Sequence, residues 1–176
     1  MDILKGRTAV ITGAGSGIGR ALAQQCADRG MPVVLADVDE AGLAETARLI
    51  GVKSRAFVIP TDVSKPESVE ALAARAYEFT GDVGVLFNNA GVASGGWIWE
   101  STPEDWAWIL GVNLMGVVHG IRAFVPRMLA EQRPGHIVNT ASAAGLMSLP
   151  AASAYCASKH AVVTLSECLH HELQLK

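Results

Sequence analysis

Five short, almost wholly apolar runs recur along the chain, at residues 8–12, 32–37, 55–60, 83–88 and 136–141. Runs this short and this continuous are the signature of strands covered on both faces. Between them the apolar positions fall at helical spacing, which predicts helices over about 17–29, 39–50, 65–80 and 103–130 and another starting near 153. Regular strand–helix alternation implies right-handed crossovers, so the expected fold class is α/β with a parallel sheet. A chain of 176 residues suits one such domain, 1–176, with no linker or internal repeat beyond the βα unit.

Local signals agree with this layout. Ser64, Lys65, Pro66 and Glu67 read as a capping box with proline in the first turn, and Thr102, Pro103, Glu104 and Asp105 carry the same chemistry. Val69, Leu72, Ala73 and Ala76 share one face of the helix predicted over 65–80.

Composition removes several functional classes. The chain is 50% apolar and 18% charged, far from a disordered composition. Its net charge of −3 argues against a nucleic-acid surface. Cys26, Cys156 and Cys168 are scattered, with no disulfide framework and no zinc spacing, which favours a reducing, cytoplasmic setting. Cys156 and Cys168 read as small buried hydrophobes. His170 and His171 read as helix surface, and no metal site is expected. Residues 1–12 lack a basic stretch followed by a long apolar run, so no signal peptide is expected. Residues 134–158 carry no Asp, Glu, Lys or Arg, but Asn139, His136, Pro150 and several serines and glycines would break a spanning helix. They read as a buried strand, a polar loop and a helix start, with no membrane role.

Chemistry enters where the first strand runs into Thr12-Gly13-Ala14-Gly15-Ser16-Gly17-Ile18-Gly19 and then a helix. Glycines let the backbone approach a phosphate without an intervening Cβ. The free N–H groups and positive end of the new helix attract a pyrophosphate. A tight turn without ligand is the alternative. Asp37, ending the second strand, is where a carboxylate accepts hydrogen bonds from an adenosine ribose and repels a 2′-phosphate, so NAD is favoured over NADP. A turn or helix cap is its plainer reading, as for Asp39. Asp62 stands at the third strand's end, either toward the adenine edge or capping the next helix.

Asn88-Asn89-Ala90-Gly91 follows the fourth strand, suited equally to a stabilised turn and to ligand contact. Asn113 sits inside an apolar helical stretch and must find partners there. It either holds a helix distortion or water, or passes protons. Tyr155 and Lys159 are four residues apart and share a helical face. A cation one turn away favours the charged form of a phenol, which prepares a tyrosine for general acid/base work. Ser142, at the end of the fifth strand, can donate to a carbonyl oxygen. Trp97 and Trp99 either line an apolar substrate mouth or pack under a lid or between subunits.

These residues, in this order and spacing, resemble the short-chain dehydrogenase/reductase family: Thr12-Gly13-x3-Gly17-x-Gly19, Asp62, Asn89-Ala90-Gly91, Asn113, Ser142 and Tyr155-x3-Lys159. Trp106, Pro126 and Met128 fit as well. The resemblance implies a Rossmann-type doubly wound sheet and NAD(P)-dependent interconversion of an alcohol and a ketone. It implies that Tyr155 exchanges the proton with the substrate oxygen, that Lys159 assists it and binds the nicotinamide ribose, that Ser142 polarises the substrate oxygen, and that Asn113 holds a relay water. Gly13, Ser16, Gly17, Ile18, Gly19, Asp37, Asp62, Val63, Asn89, Ala90 and Gly91, with Tyr155 and Lys159, form the expected cofactor-contacting set. Family members normally continue with further strands beyond the helix in which this sequence stops, so a domain short of its C-terminal strands is expected. The expected substrate is a secondary alcohol or ketone on an apolar or cyclic skeleton. The apolar stretch at 106–121 points to a homodimer or homotetramer with helices pairing across subunits. A non-catalytic dinucleotide-binding subunit is the rival reading, and a sugar-nucleotide epimerase is weaker because the glycine spacing suits it less.

Overall fold

A computed structural model describes residues 4–176; the first three, part of the stretch read for a signal peptide, lie outside the described residues. Five parallel strands form one sheet: β1 (Ala9–Thr12), β2 (Val33–Asp37), β3 (Ala56–Pro60), β4 (Val85–Asn88) and β5 (His136–Asn139). Their order is β3-β2-β1-β4-β5. The chain therefore leaves β1 in one direction to build β2 and β3, and returns to β1's other side for β4 and β5. Crevices at such a reversal, outside the strands' carboxyl ends, are where ligands bind in open α/β sheets.

The alternation of side chains along the strands splits the core in two. Ala9, Ile11, Val33 and Leu35 pack against α1 (Gly17–Asp28) and α2 (Glu40–Ile50) through Ala23, Cys26, Ala27, Leu43 and Ile50. Val10, Val34, Ala36 and Leu86 face α3 (Pro66–Thr80) and α5 (Gly116–Ala130), meeting Leu72, Ala73, Ala76, Ala123 and Phe124. As the spacing predicted, Val69, Leu72, Ala73 and Ala76 are the buried residues of α3. The outer strands are less covered than the centre. Among the described residues β5 forms one edge of the sheet, and its Val138 is partly exposed.

Three local expectations need correction. The helix predicted over 103–130 is α4 (Pro103–Leu110), a π-helical turn (Gly111–Met115) and α5. The extra residue per turn accommodates Asn113, which is fully buried there. The composite stretch Pro103–Ala130 is long and apolar enough to cross a bilayer; here one side of it packs on α3 and on α6 (Ser153–Gln174), while Trp108, Met115 and Leu129 are exposed. The box at Ser64 does not form. Lys65 is the N-cap of α3 without a side-chain cap bond, with Pro66 in the first turn, while Ser64 stands one residue before the cap and donates its hydroxyl to Asp62 at 2.6 Å. The box at Thr102 does form, Thr102 and Asp105 bonding each other's backbone N–H. Finally, Cys156 is buried as expected but Cys168 is exposed.

At the sheet's other end, opposite the strand carboxyl termini, buried Arg7 pairs with Asp82 at 2.8 Å and with Glu131. Glu131 also accepts from the Tyr77 hydroxyl at 2.6 Å and from Val83 N at 3.1 Å. Burial and the Glu131 carboxylate push the Tyr77 phenol above its usual range. This network ties α3, β4 and α5 together at the end away from the cleft.

Candidate active site

The carboxyl ends of all five strands open onto one cleft of about 790 Å³, within the roughly 300–1,000 Å³ typical of small-molecule sites. Its floor begins at the glycine turn between β1 and α1. Gly19 lies so close to the preceding turn that a Cβ there would stand 2.0 Å from Gly13 O. The N-cap, Ser16, is extended and makes no side-chain cap bond, so the first-turn N–H groups of α1 have no intrahelical partner. Helix α2 secures the turn from behind. The buried Thr46 hydroxyl donates to Ala14 O at 2.8 Å, and Arg20 donates to Thr46 Oγ1 at 2.9 Å and to Gly15 O. These bonds engage the carbonyls of Ala14 and Gly15.

Asp37 lines the cleft at the end of β2. Its carboxylate accepts from Gly15 N at 2.9 Å and Asp39 N at 3.1 Å. Asp37 thus braces the turn from a position on the cleft wall, and Asp39 caps α2 through Gly42 N. Asp62 and Val63 also line the cleft. The Asp62 carboxylate is engaged by Ser64 N (3.0 Å), Ser64 Oγ (2.6 Å) and Lys65 (3.4 Å), and these bonds hold it below the usual carboxylate range. It closes the turn into α3 without being the N-cap.

The loop after β4 faces the glycine turn across the strand reversal. Asn89 N and Ala90 N both donate to Thr12 Oγ1, at 2.9 and 3.1 Å, and Asn89 Nδ2 donates to Thr12 O at 3.1 Å. Asn89, Ala90 and Gly91 line the cleft, so this segment is both a stapled turn and a cleft wall. Asn88 turns away, donating to Asn139 on β5 at 2.9 Å.

On the opposite wall, α6 carries Tyr155 and Lys159 into the same cleft. Lys159 is 5% exposed. Its ammonium donates to Thr140 O at 2.7 Å and lies 5.7 Å from the centroid of the Tyr155 ring. Ser142 also lines the cleft, at the head of a short 3₁₀ turn, with its Oγ accepting from Ala144 N at 3.1 Å. That turn rests directly on α6. A Cβ at Gly145 would stand 2.7 Å from Lys159 O, so only glycine lets the Ser142 turn lie this close to Lys159.

Asn113 is the one expected site residue that does not line the cleft. Its side chain accepts from Val92 N at 2.8 Å and donates to Val92 O at 2.9 Å and Ser158 Oγ at 3.1 Å. The amide thus links the π-helical turn to the β4 loop and to α6. Trp97 and Trp99 stack on each other, centroids 5.3 Å apart and planes 4° from parallel. They are outside the cleft lining and largely exposed, just after a bridge from Gly96 to Ala152 at the entry to α6. Residues not singled out in the sequence also line the cleft: Val38, Thr61, Val92, Trp108, Val112 and Thr140. No residue motif marks them: Val38, Thr61, Val92 and Thr140 come soon after strand ends, whereas Trp108 and Val112 come from α4 and the π-helical turn. Among the described residues no cluster of His, Cys, Asp or Glu could hold a metal.

Burial pushes the Lys159 ammonium below the usual lysine range. The unfolded chain then holds that proton more tightly, so stability rises with pH between the depressed folded value and the ordinary 10.5. Denaturant melts across the neutral-to-alkaline range should show this rise in the wild type and a flatter profile in Lys159→Met. Equal slopes would contradict it.

Comparison with known proteins places this arrangement. The model for short chain dehydrogenase matches residues 7–176. The chain belongs to the short-chain dehydrogenase/reductase family. It is 38% identical over 175 residues to a CLA biosynthesis dehydrogenase/reductase of Lactiplantibacillus plantarum, covering 99% of this chain and 61% of the relative. A 1-deoxy-11-beta-hydroxypentalenate dehydrogenase of Streptomyces exfoliatus is 40% identical, with coverage of 97% and 63%. The crystal structure of a short chain dehydrogenase/reductase from Burkholderia phymatum in complex with NAD superposes with a TM-score of 0.97 at 54% identity, covering 99% of this chain and 62% of that one. The chain thus spans less than two thirds of the length of these relatives. The matched fold is the α/β parallel sheet of this family's Rossmann-type domain.

Proposed function

We propose that this chain is the dinucleotide-binding and proton-transferring domain of an NAD-dependent oxidoreductase that interconverts a secondary alcohol and a ketone. The observation carrying this reading is that Tyr155, Lys159 and Ser142 open into the same cleft as the glycine turn and Asp37.

The residues present fit a nicotinamide dinucleotide. The closely packed glycine turn at Gly19 and the uncapped start of α1 suit a pyrophosphate. Asp37, with Asp62 and Val63, would hold the adenosine half, and the Asp37 carboxylate would disfavour a 2′-phosphate, hence NAD over NADP. Asn89, Ala90, Gly91 and Lys159 would hold the nicotinamide half. When bound, the cofactor supplies the hydride acceptor or donor. Tyr155 takes the alcohol proton at its phenolic oxygen, or returns it to a ketone. The Lys159 ammonium stabilises negative charge developing on that oxygen. Ser142 Oγ donates to the substrate oxygen. Asn113 serves by fixing the wall behind them.

The substrate is an apolar, including cyclic, alcohol or ketone. The stacked Trp97 and Trp99, pinned beside the entry to the Tyr155 helix, support an apolar mouth. The double variant Trp97→Ala/Trp99→Ala should raise KM for bulky apolar alcohols while sparing small ones and NAD. An unchanged substrate profile would remove the tryptophans from the mouth. We also place the protein in the cytoplasm, as a homodimer or homotetramer pairing its long helices.

The function is tested by following reduced-nicotinamide absorbance with NAD and a panel of secondary alcohols. NAD-dependent turnover supports the reading. NAD binding with no turnover across the panel would favour the rival, a non-catalytic dinucleotide-binding subunit.

A further inference from the structure

One polar chain inside the molecule is left over by the function described so far. It runs from the β4 loop, through the π-helical turn, to the helix carrying Tyr155 and Lys159. Val92 exchanges two hydrogen bonds with the Asn113 amide, whose Nδ2 also donates to Ser158 Oγ at 3.1 Å. The Ser158 hydroxyl in turn donates to Tyr155 O at 2.7 Å. Asn113 and Ser158 are both fully buried. Buried polar groups need partners, and here one hydroxyl serves as acceptor for one element and donor within another.

Position gives this chain its meaning. Ser158 lies between Tyr155 and Lys159 in sequence and points away from the cleft lining, toward the π-helical turn. On the sheet side, the same helical turn is held by the Lys159 ammonium on Thr140 O at 2.7 Å. The α6 segment is therefore gripped from two sides at one level. The sheet-side grip uses Lys159 itself, so the grip that leaves the reacting groups free is the one through Ser158.

We propose that Ser158 is a positioning residue: its hydroxyl, clamped by Asn113, sets the register of α6 so that Tyr155 and Lys159 face the cleft together. This rests on the alcohol–ketone reading above and deepens it. Asn113 acts through Ser158 and Val92, not by touching a substrate. A small error in placing a reacting group lowers the rate strongly, while binding elsewhere in the cleft is untouched.

The test uses the full chain with Ser158→Ala, which removes the hydroxyl and adds no bulk, and Ser158→Thr, which restores it. Threonine hydroxyls bond backward to the preceding turn as Ser158 does. NAD affinity by calorimetry, thermal stability and the kcat-against-KM split are read alongside Tyr155→Phe. Ser158→Ala should lower kcat roughly 10- to 100-fold, with NAD affinity falling much less than kcat because the glycine turn, Asp37 and the β4 loop still hold the cofactor, with alcohol KM near wild type, and Ser158→Thr should recover most of kcat. Unchanged kcat in Ser158→Ala overturns the proposal, as does a parallel fall of NAD affinity and kcat, which would mark a purely structural residue. If Tyr155→Phe keeps turnover, the underlying functional reading fails instead. If Tyr155→Phe is inactive and Ser158→Ala matches wild type, only the positioning role fails.

Discussion

Tyr155→Phe should lower kcat by about 10²- to 10⁴-fold, the range supplied by a positioned general acid/base, and leave NAD affinity essentially unchanged. The substitution removes one oxygen. The ring stays half-buried on α6, and the Lys159 ammonium keeps its bond to Thr140 O at 2.7 Å. The glycine turn and Asp37, at the other end of the cleft, are untouched. A loss of this size in kcat with intact binding separates proton transfer from cofactor capture. Single-turnover absorbance with calorimetry on the same samples reads both. Retained turnover would mean that some other group moves the proton.

Gly19→Ala is expected to act on the cofactor end. A Cβ at Gly19 would stand 2.0 Å from Gly13 O, 2.6 Å from Gly13 C and 2.8 Å from Asn89 Nδ2. None of these atoms yields easily. Two are backbone, and Asn89 Nδ2 is tied to Thr12 O while its Oδ1 accepts from Thr140. Helix α1 must therefore shift from the sheet, with an overpacking penalty of about 1–3 kcal/mol in stability. The same shift withdraws the helix start from the pyrophosphate position, so NAD affinity should fall at least about tenfold, equivalent to about 1.4 kcal/mol. Gly95→Ala is the control, since a Cβ there meets nothing closer than Ala151 O at 3.6 Å. It should match wild type in thermal melts and NAD titration. Wild-type behaviour of Gly19→Ala would show that the close approach has no role.

The strands were legible in the sequence for a physical reason. In a parallel sheet covered on both faces, a strand must be apolar throughout, and the central strands β1 and β2 are almost completely buried. Much of the cleft was legible because the glycine turn, Asp37, Asp62, Asn89-Ala90-Gly91 and Ser142 each come soon after a strand, and a parallel sheet carries all strand ends to one edge. The π-helical turn was hidden because apolar periodicity runs straight through 106–121, and only the polarity of Asn113 marks it. The Ser64 box misled because the helix begins one residue later, at an N-cap Lys65 that makes no side-chain cap bond, while Ser64 belongs to the Asp62 turn, a shift that a four-residue pattern does not contain. Gly145 and Ser158 were invisible for a further reason. Their importance lies in contacts with Lys159 O and Asn113, made by packing and absent from spacing.

The central claim is that one cleft holds NAD with its nicotinamide half beside Tyr155 and Lys159. A crystal structure of the protein grown with NAD tests it most directly. The predicted result places the pyrophosphate on the glycine turn, the adenosine ribose on the Asp37 carboxylate and the nicotinamide ribose against Lys159. NAD bound in the reverse direction, or outside this cleft, would contradict it.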